Sequence, residues 1–203
     1  MVADKILIKA IRLEPLTFEE GLFIYEQVPT NELMLVANEC RQLQVPGNRV
    51  GWIIDRNVNI TNVCISGCKF CNFHCKINEE AQYITSIDEY CEKTAELLKA
   101  GGRQLLMQGG MHPKIGLDFY TNLFSELKRR YPVLKLHTLG PPEIVFLSKK
   151  ERKSYREVLE ILVDSGMDSL PGAGAEILSD RVRKSISPGK CNTQEWLDVM
   201  REA

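Results

Sequence analysis

Four of the chain's seven cysteines fall within twelve residues, in the run CISGCKFCNFHC from Cys64 to Cys75. Cys64, Cys68 and Cys71 are spaced C-x3-C-x2-C. Three thiolates on one tight loop can hold three irons of a cubane, because iron–sulfur clusters take cysteine ligands in compact runs. The fourth iron then lacks a protein ligand, and an open metal corner is a Lewis acid that a small molecule can chelate. Zinc is the main competing reading. Structural zinc sites usually draw on two separated knuckles of two ligands each. Four sulfurs so close together, with no second pair elsewhere, fit that poorly. Inert thiols are the third reading, and their clustering on a polar loop argues against it. Cys75 either fills a fourth ligand position or is a free thiol past the loop, the latter preferred. Cys40 and Cys91 lie on apolar helical stripes and read as buried small hydrophobes. Cys191 precedes an Asn192-x-x-Glu195 cap and has no partner pattern.

Alternating strands and helices must position this loop. Residues 16–45 read as helical, with a Thr17/Glu20 capping box and a break at Pro29-Thr30. Val58–Thr61 reads as a short strand leading into the cysteine loop. Ser86 and Glu89 make a second capping box, and Ile87, Tyr90, Thr94 and Leu97 keep a helical period behind it. Strand 103–107 ends in the turn Gln108-Gly109-Gly110. A helix through Tyr120, Phe124 and Leu127 follows, then strand 135–139, stopped by Gly140-Pro141-Pro142. Ser154 and Glu157 cap a further helix. Strand 168–170 leads into the loop PGAGAE, and helical stretches over 177–186 and 193–203 close the chain.

This alternation predicts βαβ units, each strand beside the last in a parallel sheet. In such folds, chemistry gathers at the C-terminal ends of the strands. The expected fold class is α/β, the N-terminal part of a TIM-barrel-type (β/α) fold, with about four units after a helical segment. Residues 1–48 are expected as a helical extension and 49–203 as barrel. Four strands cannot close an eight-stranded barrel. The chain is therefore expected to be the front of a longer protein, or a truncated or split one, with a second chain as one source of the missing half.

Composition bounds the alternatives. The chain has 203 residues, 44% hydrophobic and 26% charged, as an ordinary globular protein does. A net charge of −1 leaves no basic surplus for nucleic-acid phosphates. The local basic run Ser148–Lys153 reads as a solvated loop entering a helix. The N-terminus has no long apolar run, so neither an export signal nor a membrane span is expected. A cytoplasmic location follows as the expectation. A reducing compartment favours cysteines as ligands over disulfides, and seven is an odd number.

The triple-cysteine spacing, with Phe70 just before the last cysteine, resembles the radical S-adenosylmethionine (SAM) enzymes. At finer grain NITNVCISGCKFC, LMQGGMHP, GPPEI, DSLPGAGAEIL and RVRKSISPGKCNTQEWL resemble the cyclic dehypoxanthinyl futalosine synthases of menaquinone biosynthesis. Related families make aminofutalosine or the deazaflavin cofactor. Gln108 and Pro141-Pro142-Glu143 point to the cyclising family. The resemblance runs from about residue 16 to the end. It implies that Cys64, Cys68 and Cys71 ligate a [4Fe–4S] cluster whose open iron chelates SAM. An electron then cleaves SAM to methionine and a 5′-deoxyadenosyl radical, which takes hydrogen from a nucleoside-derived substrate. A flavodoxin- or ferredoxin-type donor is implied as the electron source.

It further implies that Phe70 lies along the adenine, that Gln108, Gly109 and Gly110 meet the SAM amino group, and that Glu176 accepts from ribose hydroxyls. The plain alternatives are a core-packed loop anchor for Phe70, an ordinary turn for 108–110, and a helix-start carboxylate for Glu176. His112 and His137 sit at strand ends and read as structural or substrate-contacting. PGAGAE lacks the Lys-Ser/Thr of a phosphate loop. Asn72, His74-Cys75 and Ala173 depart from the family pattern. A non-catalytic module holding zinc, or a cluster used only structurally, is the reading from a different class.

Overall fold

The protein's structure, a computed structural model, describes residues 2–203. The chain divides into two compact units, Met1–Trp52 and Ile53–Ala203. The first holds helices α1 (Val2–Ile11), α2 (Phe18–Gln27) and α3 (Thr30–Gln44). The Thr17/Glu20 box opens α2 as the sequence predicts: Thr17 Oγ1 accepts from the Glu20 N–H and Glu20 reaches back to the Thr17 N–H. Pro29 stands at the N-cap of α3, which explains the break. α1 lies ahead of every element read from the sequence. Cys40 is half-buried, not buried, and donates to the Ala10 carbonyl.

The second unit carries β1 (Asp55–Asn57), α4 (Ile87–Lys99), β2 (Gln104–Met107), α5 (Leu117–Arg130), β3 (Lys135–Thr138), α6 (Pro141–Glu151), α7 (Tyr155–Asp164), α8 (Asp180–Ile186) and α9 (Thr193–Glu202). The three strands form a parallel sheet in the order β1-β2-β3. Arg56 stands opposite Leu105, which stands opposite Leu136. Thus the expected α/β class, parallel pairing and strand order are all present.

The core is the fully buried inward face of the sheet and the helices against it. Leu105, Met107 and Leu136 from the strands meet Tyr90, Phe124, Leu127, Ile144, Val158 and Leu162. Burying each such side chain contributes about 1.5–3 kcal/mol relative to leaving it exposed. The capping boxes at Ser86, Ser154 and Asn192 start α4, α7 and α9 in register with that core.

Four expectations need correction. The first strand is polar Asp55–Asn57, not 58–61, although the Val58 and Ile60 N–H groups still donate to Leu106 and Gln108 carbonyls. The fourth strand is reduced to one bridge, His137 with Ser169, so the sheet has three strands rather than four. Asp168 takes over part of that ladder with its side chain, accepting from the Leu136 N–H. Gly140-Pro141-Pro142 does not stop a strand only; it starts α6, whose last turn and exit contain the basic run read as a loop. Cys91 is half-buried and accepts from Arg130 Nη1 at 3.3 Å.

Candidate functional site

The sequence after β1 winds into an irregular loop because its polar side chains bond the chain back to itself. Thr61 Oγ1 donates to the Tyr83 carbonyl, and Asn62 pairs with both Ala81 and Tyr83. Val63 bridges Cys75, and the Cys64 N–H donates to the Cys75 carbonyl. These contacts close a loop of about a dozen residues around Cys64, Cys68 and Cys71.

Cys64, Cys68 and Cys71 all line one cavity of about 290 Å³. Ser66, buried between them, sets its hydroxyl 3.0 Å from Cys64 Sγ and 3.3 Å from Cys68 Sγ. Backbone N–H groups of Ser66 and Met111 also point at Cys64 Sγ, at 3.5 and 3.4 Å. Among the described residues, no three His, Cys, Asp or Glu side chains converge as a single ion requires. Three cysteines of one loop lining one hollow are the type of donor set that iron–sulfur clusters take.

The cavity also gathers Phe70, Gln108, Gly109, Gly110 and Glu176, which come from three separate segments. The residues that the sequence analysis assigned to the cluster and to SAM therefore meet in one place, beyond the C-terminal ends of β1, β2 and β3. Phe70 is 50% exposed at the mouth, so it is no core anchor. Gly110 is required sterically: a Cβ there would lie 2.1 Å from the Val63 carbonyl oxygen. Its N–H donates to the Thr61 carbonyl, tying the turn after β2 to the cysteine loop. Glu176 does not start a helix, since α8 begins at Asp180. It pairs instead with Lys190, at 2.5 Å, and with buried Arg183, at 3.9 Å.

Cys75 is buried and does not line the cavity, and burial pushes its thiol up. That fits the reading of a free thiol past the loop. His112 and His137 also lie outside this cavity. His112 is buried, accepts from the Lys114 N–H, and is held by burial below the usual histidine range. His137 shares a 2.6 Å hydrogen bond with the Ser169 hydroxyl.

Two charged cavity residues, Glu143 and Lys190, had no site role in the sequence analysis. Glu143 sits in the first turn of α6, and burial pushes its carboxyl up to about 7. Lys190 stands 5.5 Å from the Phe70 ring centre while bonded to Glu176. The signals were the Gly-Pro-Pro-Glu helix start and the Ser-Pro-Gly-Lys turn.

Residues 58–203 match the family model of the Radical SAM superfamily. The chain is 41% identical over 187 residues to a 5-amino-6-(D-ribitylamino)uracil–L-tyrosine 4-hydroxyphenyl transferase of Methanosarcina barkeri, covering 92% of this chain and 47% of that protein. It is 35% identical over 191 residues to a cyclic dehypoxanthine futalosine synthase of Streptomyces coelicolor, covering 93% and 48%. Among solved structures, HydG, a maturase of the [FeFe]-hydrogenase, superposes with a TM-score of 0.73 at 18% identity, covering 100% of this chain and 43% of that one. The last likeness bears on the fold alone. The chain spans about half the length of the curated relatives it matches.

Proposed function

Because this chain belongs to the radical SAM superfamily, we propose that it forms the cluster- and SAM-binding part of an enzyme that cyclises dehypoxanthine futalosine in menaquinone biosynthesis. Membership of that superfamily implies a [4Fe–4S] cluster and SAM. Cys64, Cys68 and Cys71 would hold the cluster; Phe70, Gln108, Gly109, Gly110 and Glu176 would hold SAM. The bound groups supply one-electron chemistry that ends in hydrogen abstraction from the substrate. The protein's own tasks are orientation and exclusion of water and side reactions. Phe70 offers a face for a purine, Glu176 an acceptor for hydroxyls, and Gly109-Gly110 a turn with no side chain to obstruct a ligand.

One observation carries this reading: the three cysteines of one loop line the same cavity as the five residues that the resemblance assigns to SAM. The cyclising reaction itself rests on the likeness to the Streptomyces coelicolor synthase, together with Gln108 and Pro141-Pro142-Glu143. A second reading is transfer of a 4-hydroxyphenyl group from tyrosine to the ribitylaminouracil, which the higher identity of 41% favours. The electron donor is proposed to be of flavodoxin or ferredoxin type. Further polypeptide, in this or a second chain, is proposed to extend the sheet.

Anaerobic reconstitution with iron and sulfide tests the reading. A brown protein with broad visible absorption, four irons per chain, and SAM cleavage under a strong reductant are expected. Cys68→Ala should abolish all three. Stoichiometric zinc with no SAM cleavage overturns it. Product analysis with dehypoxanthine futalosine, and separately with the ribitylaminouracil plus tyrosine, decides between the two reactions.

A further inference from the structure

The turn Ser187–Lys190 follows α8 and packs against the cysteine loop from outside. The Gly189 N–H donates to the Ser66 carbonyl at 2.9 Å, and the Lys69 N–H donates to the Ile186 carbonyl at 2.8 Å. The approach is close enough that a Cβ on Gly189 would lie 2.7 Å from Ser66 Cα and 2.8 Å from the Ile65 carbonyl oxygen. Ser66 is the residue whose hydroxyl touches both Cys64 and Cys68. One residue further on, Lys190 reaches into the cavity, bonded to Glu176 and over the ring of Phe70.

The base of this turn is fixed by Arg183, which is 3% exposed. Its guanidinium donates to the carbonyls of Gly174 and Ala175 on the PGAGAE loop, of Ile177 just after it, and of Cys191 just past the turn. A buried guanidinium with its fork filled by carbonyls holds two segments in one register. The cysteine loop and the Glu176 loop are thus joined through a single element.

We propose that Ser187–Lys190 is a clamp on the cysteine loop: Gly189 registers it against Ser66, and Lys190 sets Phe70 and Glu176 around one bound nucleoside. Lys190 is a positioning residue in this scheme. Its ammonium fixes a ring on one side and a carboxylate on the other, so the purine and ribose subsites move as a unit. The nucleoside's identity as the adenosyl part of SAM rests on the function proposed above; the clamp itself does not.

Two variants test it. Gly189→Ala must push the turn off Ser66. In the metal-free chain, alkylation of Cys64 and Cys68, followed by peptide mass spectrometry, should quicken about tenfold as the loop opens locally. Labelling of Cys40 should stay at the unaltered rate. Unchanged labelling of Cys64 and Cys68 in a folded Gly189→Ala chain overturns the clamp. Should that variant unfold, Lys190→Met decides, because it keeps the stem and removes the charge. Aromatic NMR signals of Phe70 in the metal-free chain should shift in Lys190→Met and return in Lys190→Arg; no shift overturns the role of Lys190. In reconstituted protein, Lys190→Met should keep its iron content and visible spectrum but bind SAM about tenfold more weakly, the size of effect expected from losing a desolvated cation–π contact and its ion pair. Wild-type protein that takes up no cluster would overturn the functional reading, while the labelling and NMR results would still judge the clamp.

Discussion

Glu143 is a carboxyl placed where ionisation is costly. It lines the cavity from the start of α6, and its side chain folds back over Gly140. Burial is the largest influence and raises its affinity for the proton, to a value of about 7; Glu176 nearby acts in the same direction, and Lys190 opposes it. The folded value lies above the ordinary 4.5, so the folded chain binds the proton more tightly than the unfolded one. The stability this contributes is fully present below about pH 4.5 and is lost as pH rises through about 7. The difference is roughly 3 kcal/mol, at 1.36 kcal/mol per unit. Glu143→Gln, a neutral isostere, should therefore be close to wild type in acid and more stable than wild type at pH 8. Thermal melts of both proteins at pH 5 and pH 8 check this. A constant gap between them across that range would show that Glu143 stays ionised. The sequence contained Glu143 only as part of a resemblance, because a carboxylate's surroundings come from segments remote in the chain. The thiols were legible for the opposite reason: their spacing alone brings them together. Phe70 and Glu176 entered only through the family resemblance, and Lys190, which bonds one and lies over the other, did not enter at all, since a lysine in a turn looks like any solvated charge.

At the scale of elements, capping chemistry was the most readable feature. Thr17, Ser86, Ser154 and Asn192 each begin a helix with a reciprocal glutamate three residues on, and all four boxes are closed. Ser154→Ala removes an acceptor for the Glu157 N–H and should lower stability by about 1 kcal/mol. For a unit of this size that is a fall in Tm of roughly 2–4 °C, measurable by calorimetry. α6 escaped because its start uses other chemistry. Two prolines occupy positions whose N–H groups have no helical partner anyway, so they begin a helix as readily as they end a strand. β1 was misplaced because pairing, not burial, defines a strand: Asp55–Asn57 pairs with β2 while exposed, and the buried residues start only at Val58. Where β2 hands over to the cysteine loop, the constraint is backbone against backbone. Gly110→Ala puts a methyl carbon against the Val63 carbonyl, with no rotamer to relieve it. Overpacking of this kind costs about 1–3 kcal/mol. We expect the variant to melt earlier and its Cys64 to alkylate faster; wild-type behaviour in both would mean that the turn can move away freely.

Across the whole molecule, the buried apolar residues are unevenly shared. Within residues 2–52 the described buried hydrophobics are Ile6, Leu7 and Val28, whereas Phe18, Tyr25, Met34, Leu35 and Trp52 are exposed. The contiguous core of the second unit runs from Val58 to Val199 and includes Tyr90, Phe124 and fourteen leucines or isoleucines among its members. Helices of 10 to 15 residues are marginal alone in water and depend on packing. A chain of some fifty residues also buries too small a share of its surface to be stable without help. The second unit's helices are no longer, but they pack on that contiguous core, and the cysteine loop, the cavity and the Ser187–Lys190 turn all lie within this unit. Two fragments separate these cases. Residues 53–203 should give a cooperative thermal transition within a few degrees of the full chain and keep its cysteine reactivity. Residues 1–52 should show weak helical circular dichroism that fades without a cooperative midpoint. Loss of the transition in the 53–203 fragment would mean that its core depends on the preceding helices, and that the stability of the candidate site is set by the whole chain.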